Sequence, residues 1–90
     1  MKLVNIGYGN MINASRIVSV VSPDAAPIKR LVQDTRGSGR LVDATGGKKT
    51  RSVIVSDSGH IVLSALTAET IQGRINGLDA KEHSEVNTDE

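Results

Sequence analysis

Apolar positions change their period several times along this chain, and each change marks an element. Residues 2–6 alternate weakly and run into Gly7-Tyr8-Gly9-Asn10, a glycine-rich turn; residues 15–21 are rich in β-branched side chains, so both segments read as strands. Ser22-Pro23-Asp24 then breaks the pattern. Ile28, Leu31, Val32 and Thr35 recur at i, i+3, i+4 and i+7, one face of a helix, with Lys29, Arg30, Gln33, Asp34 and Arg36 opposite them. Asp24 is the expected cap, Pro27 falls in the first turn where a missing N–H does no harm, and Gly37 is the stop. Strand period returns in 41–45, 51–57 and 60–66. Ser58-Gly59 has the length and the glycine of a two-residue hairpin, which sets Val55 against Val62 and Ile54 against Leu63. A second helix over 67–76 carries Ala68, Ile71 and Ile75 on its inner stripe and ends at Gly77.

In that hairpin register, Ile54, Ile61, Leu63 and Ala65 share one side, and Val53, Val55, Val62 and Leu66 share the other. Both sides are apolar. The first helix, helped by the second, covers one of them, and the uncovered side calls for another subunit. Composition points the same way. Among 90 residues there is no Phe and no Trp, and Tyr8 is the single aromatic. Each aromatic absent from the core forgoes about 150–250 Å² of burial, and a chain this short buries only about 60% of its unfolded surface. The expected fold is α+β: a small, antiparallel-rich sheet of four to five short strands with two helices, in a homo-oligomer. Residues 1–78 read as one domain and 79–90 as a disordered acidic tail.

The formal charge of +1 hides an asymmetry. Residues 1–78 hold ten Lys and Arg against five Asp and Glu, whereas 79–90 hold Lys81 against Asp79, Glu82, Glu85, Asp89 and Glu90. The folded part is therefore basic. Its densest cations lie in Gly46-Gly47-Lys48-Lys49-Thr50-Arg51, read as a tight turn between two strands. The glycines permit a sharp reversal with positive φ, and the cations at its tip suit an anion of repeating charge. By spacing, Lys29, Arg30, Arg36 and Arg40 read instead as a solvated helix face. Absence of Cys removes disulfides and thiolate chemistry, and no apolar run reaches the roughly 20 residues of a membrane span. The expectation is a cytoplasmic protein with no membrane partner.

Motifs for catalysis fail one by one. Gly7-Tyr8-Gly9 follows a strand, but Ile12 stands where a dinucleotide fingerprint requires its third glycine. Gly47-Lys48-Lys49-Thr50 has Lys49 where a phosphate-binding P-loop needs Ser or Thr, and Val42 in place of its leading glycine. Asp57, Ser58 and His60 are the residue types of a hydrolytic triad, yet they crowd into one turn, where turn chemistry explains them. His60 with Asp57 lacks further metal ligands nearby. We therefore expect no enzyme, no cofactor, no metal and no small-molecule substrate. The helix-turn-helix is excluded as well, because strands separate the two helices.

Three stretches, Lys2-Leu3-Val4-Asn5-Ile6-Gly7-Tyr8-Gly9-Asn10, Arg16-Ile17-Val18-Ser19-Val20-Val21-Ser22-Pro23-Asp24-Ala25-Ala26-Pro27-Ile28-Lys29-Arg30 and Leu41-Val42-Asp43-Ala44-Thr45-Gly46-Gly47-Lys48-Lys49-Thr50-Arg51, resemble in order the RemA family of extracellular matrix regulatory proteins. The resemblance runs from about residue 2 to residue 75. It implies a DNA-binding transcriptional regulator that activates biofilm matrix genes, is associated with the nucleoid, and assembles into a ring, a heptameric one in the family. It further implies that double-stranded DNA is held by Arg16, by Lys48 and Lys49, where the family pattern has two arginines, and by Arg51 close by. Gly46 stands where that pattern has an aromatic, and Pro27 matches a position read as structural. Two other readings stay open on the residues alone: a ring-shaped scaffold for an acidic protein, and an RNA-binding ring, for which the lone Tyr8 offers poor stacking.

Overall fold

A computed structural model describes residues 2–77, so the expectation of an acidic disordered tail lies outside the described residues. The elements run β1 (Leu3–Asn5), β2 (Met11–Asn13), β3 (Ile17–Val21), α1 (Ala26–Thr35), β4 (Leu41–Ala44), β5 (Ser52–Ser56), β6 (Ile61–Ser64) and α2 (Ala68–Asn76). The α+β class and both helices are as expected. Among the described residues the strands number six rather than four to five, because Met11–Asn13, with no alternation of its own, pairs with β1 across the glycine turn. The hairpin β1–β2 is a sheet by itself, while the larger sheet has the order β3-β5-β6-β4.

Within the larger sheet β5 is antiparallel to β3 and to β6, whereas β4 lies parallel to β6. The basic stretch after β4 therefore does not close a hairpin onto β5. It passes across the end of β6. The β5–β6 register also differs from expectation by one residue, with Val53 opposite Leu63, Ile54 opposite Val62 and Val55 opposite Ile61. Its turn uses three residues, Asp57, Ser58 and Gly59: the Ser56 N–H donates to His60 O at 3.0 Å and the Gly59 N–H to Ser56 O at 3.1 Å. Gly59, at φ +85°, supplies the left-handed residue that such a loop needs.

A slip of one residue turns every side chain of a strand to the other face. Ile54 and Val62 consequently share one side, and Val53, Val55, Ile61 and Leu63 the other. The first side packs against Val4, Ile6 and Ile12 of the N-terminal hairpin and against Leu66, Ile71 and Ile75. The second packs against Ile28, Leu31 and Val32 of α1, with Val21 and Leu41. Both sides are thus covered within the chain, and the N-terminal hairpin fills the place that the sequence pattern assigned to another subunit.

The helices differ in how firmly they are seated. α2 has Thr67 as its cap, its hydroxyl accepting the Thr70 N–H at 3.2 Å, and ends at left-handed Gly77; it buries Ile71 completely. By contrast, α1 buries no residue fully and has Ala25, not Asp24, at its cap position, with no capping side chain. Pro27 does sit in its first turn. Two buried serines join the layers: the Ser52 hydroxyl donates to Leu66 O at 2.7 Å and the Ser64 hydroxyl to Ile6 O at 2.8 Å. No helix among the described residues is long and apolar enough to cross a membrane.

Candidate nucleic-acid interface

The loop that carries the densest cations is built from its root at Asp43. One carboxylate oxygen of Asp43 accepts both the Thr45 N–H, at 2.9 Å, and the Thr45 hydroxyl, at 2.6 Å. These two bonds, the hydroxyl's first, hold the Asp43 carboxyl below its ordinary value of 3.8; the charge of Arg36 adds to the effect and slight burial opposes it. Thr45 in turn accepts the Lys48 N–H on its carbonyl at 3.0 Å, closing a tight turn. Gly46 and Gly47 form its centre at φ +64° and +84°, two consecutive left-handed residues that fit a type I′ reversal.

Tyr8 braces this turn from the N-terminal hairpin. A Cβ on Gly46 would stand 2.9 Å from two carbons of the Tyr8 ring, so the loop backbone passes against the ring face and only glycine fits there. Tyr8 is itself at φ +55°, the one non-glycine residue in the left-handed region among those described. Beyond the turn the Arg51 N–H donates to Ser64 O at 2.8 Å, which ties the far end of the loop to β6. Between these anchors Lys48 and Lys49 are exposed, as is the Arg51 side chain, and none of the three has an ion-pair partner among the described residues. Lys49 and Arg51 also border a shallow hollow of about 160 Å³ beside Pro23 and Asp24.

Arg16 lies elsewhere. It ends a single 3₁₀ turn, Ala14–Arg16, capped by Asn13, and its carbonyl accepts the Asp57 N–H at 2.9 Å. Its Nε donates to Asp57 Oδ1 at 3.0 Å, with both side chains about half exposed. Because β5 separates Arg51 from Asp57, six residues of extended chain put the two cation groups roughly 20 Å apart. Lys48, Lys49 and Arg51 are therefore brought together, while Arg16 is placed at the opposite end of the sheet. The Asp57 carboxylate, spent on Arg16, does not orient His60; Ser58 Oγ lies 2.6 Å from His60 Nδ1, and the three do not form a catalytic line.

Other cations sort themselves by partner. Lys2 donates from Nζ to Ile75 O, and Arg74 donates to Asn5 O at 3.0 Å, so both fasten α2 to β1. Arg40, grouped by sequence spacing with the helix face, instead precedes β4 and reaches the β5–β6 turn. The sequence reading passed over Tyr8 and Asp43 as supports of the loop. Asp43-Ala44-Thr45 carries a legible signal, since Asp commonly caps the backbone two residues on; the Tyr8 contact, 38 residues away in the chain, has none.

The RemA-like family model, described as extracellular matrix regulatory protein A-like, matches residues 3–75. The chain belongs to the RemA-like family. The resemblance read from its three segments therefore holds across nearly all of the described residues. Among its relatives, a Geobacillus kaustophilus protein is 58% identical over 79 residues, 88% of this chain and 91% of its own length. One from Dictyoglomus thermophilum is 62% identical over 84 residues, 93% of this chain and 99% of its own. A third, from Heliobacterium modesticaldum, is 48% identical over 89 residues, 99% of this chain and 98% of its own. The names of all three mark them as candidate regulatory proteins.

Proposed function

We propose that this RemA-like protein is a DNA-binding transcriptional regulator, an activator of biofilm matrix genes, that works at the nucleoid as a homo-oligomeric ring. The observation that carries the reading is the loop itself: Lys48, Lys49 and Arg51 stand exposed and unpaired among the described residues, on a backbone fixed at Thr45, Gly46 and Arg51. Cations without carboxylate partners are free to meet phosphates, and a fixed backbone limits the entropy lost when they do. Lysines in two of the three places give point charges rather than planar forks, which suits contact with phosphates more than the reading of base edges. Duplex is favoured over single-stranded RNA because the Tyr8 ring has one face occupied by Gly46.

Self-association takes its support from the edges of the sheet. β3 and β4 are its outer strands, and each exposes a valine, Val18 at 64% and Val42 at 44%. Two unlike edges with unpaired backbone suit a head-to-tail contact, which closes into a ring when the rotation allows.

Fluorescence anisotropy with a mixed-sequence duplex, titrated over a range of salt, tests the DNA reading. Each phosphate contact contributes about −0.9 to the slope of log K against log salt. Replacing Lys48 and Lys49 by Ala is expected to flatten that slope by about 1.8 for every protomer engaged. An unchanged slope with the assembly intact would refute the role of the loop.

A further inference from the structure

The β5–β6 turn gathers a second pair of cations that sequence spacing does not associate. Arg16 approaches it from the β3 side, bound through Nε to Asp57. Arg40 approaches from the β4 side: its carbonyl accepts the Ile61 N–H at 2.9 Å, its own N–H donates to Ser38 Oγ at 3.1 Å, and its Nη1 lies 3.2 Å from where a Cβ on Gly59 would stand. Gly59 thus lets the Arg40 guanidinium lie close over the turn. The turn supplies a single carboxylate, Asp57, whose Oδ1 accepts from the Nε of Arg16 at 3.0 Å, so one of the five N–H donors of this guanidinium is engaged there. Asp34 borders the same hollow as Arg40, about 270 Å³ in volume, but makes no ion pair with it.

We propose that Arg40 is a further phosphate-contacting residue, and that with Arg16 it forms a second cationic grip on a nucleic-acid backbone lying across the β5–β6 turn. This rests on the DNA-binding reading above. Two guanidiniums on opposite flanks of a three-residue turn, with Asp57 bound to one and Asp34 bordering the hollow of the other without an ion pair, meet an anionic strand better than either does alone. Both backbones are fixed by strand hydrogen bonds, so little order has to be gained on binding. The grip lies about 20 Å from the Lys48/Lys49/Arg51 loop, the extended span from Arg51 to Asp57, so one protomer offers two separate places to phosphates.

The experiment compares wild type, Arg40→Ala, Arg40→Lys and the double variant Lys48→Ala/Lys49→Ala in the same salt titration, with thermal melting of each. Arg40→Ala is expected to flatten the slope by about 0.9 per engaged protomer and to weaken binding several-fold near 0.1 M salt, while Arg40→Lys keeps the wild-type slope. Should Arg40→Ala melt early, Arg40→Gln, which keeps a polar stem over Gly59, is expected to show the same flattening. A slope unmoved by the Arg40 variants but flattened by the lysine pair overturns the second grip and leaves the loop in place. Failure of the wild type to bind duplex at all overturns the DNA-binding reading and this proposal with it.

Discussion

Tyr8 combines a left-handed backbone with a ring pressed on Gly46, and the two features explain each other. A tyrosine adopts positive φ at a cost of about 1 kcal/mol or more, so a contact elsewhere must hold it there. That contact is the loop bearing Lys48 and Lys49. Replacing Tyr8 by Ala is expected to weaken duplex binding several-fold while leaving the salt slope unchanged, because no cation is lost; Tyr8→Phe should bind as wild type. Anisotropy titrations of the two variants check this. A flattened slope in Tyr8→Ala would mean that the ring or its hydroxyl takes part in the phosphate contacts, against a purely positioning role. Asp43 acts at the same scale by stapling Thr45, and its lowered pKa shows the folded loop favouring the carboxylate. Such stabilisation is present above pH 3.8 and is lost as pH falls through the depressed value.

The elements show what sequence patterning reveals and where it stops. α2 was legible end to end, because Thr67, the Ala68/Ile71/Ile75 stripe and Gly77 all signal locally. α1 was legible in its apolar face but not at its cap, since Asp24 is the better capping residue and the chain nevertheless enters the helix one residue later, at Ala25. Introducing Asp at position 25 is accordingly expected to raise stability by about 1 kcal/mol, whereas Asp24→Ala should change it little and Thr67→Ala should lower it by about 1 kcal/mol. Urea unfolding of the three variants measures these differences. The β5–β6 slip has a similar origin. Asp57-Ser58-Gly59 and Ser58-Gly59 are both acceptable loops, and only the packing of Ile54 and Val62 against Val4, Ile6 and Ile71 decides between them. The parallel pairing of β4 with β6 is decided by contacts distant in sequence, so adjacency of β4 and β5 along the chain misleads. The candidate site inherits this. The composition of the basic loop was plain in the sequence, while its separation from Arg16, and the approach of Arg40 to Gly59, depended on the strand order.

At the scale of the whole molecule, cations occupy both ends of one sheet. Lys48, Lys49 and Arg51 crowd one end, and Arg16 and Arg40 flank the turn at the other. On the proposed reading a single protomer presents a few phosphate contacts, each of small worth at physiological salt. Repetition changes this, because linked sites raise the effective concentration of one another and their free energies combine. For the proposed assembly, the exposed apolar side chains are Val18 and Val42 on the outer strands and Leu3 and Met11 on the N-terminal hairpin. The central claim is accordingly that assembly converts weak phosphate contacts into useful DNA binding. Sedimentation velocity of the protein with a fluorescently labelled mixed-sequence duplex, at about 0.1 M salt, tests it most directly. The account predicts that the protein sediments as a discrete assembly of several protomers and carries the duplex with it. A lone protomer at every concentration, with the duplex sedimenting free, would contradict it.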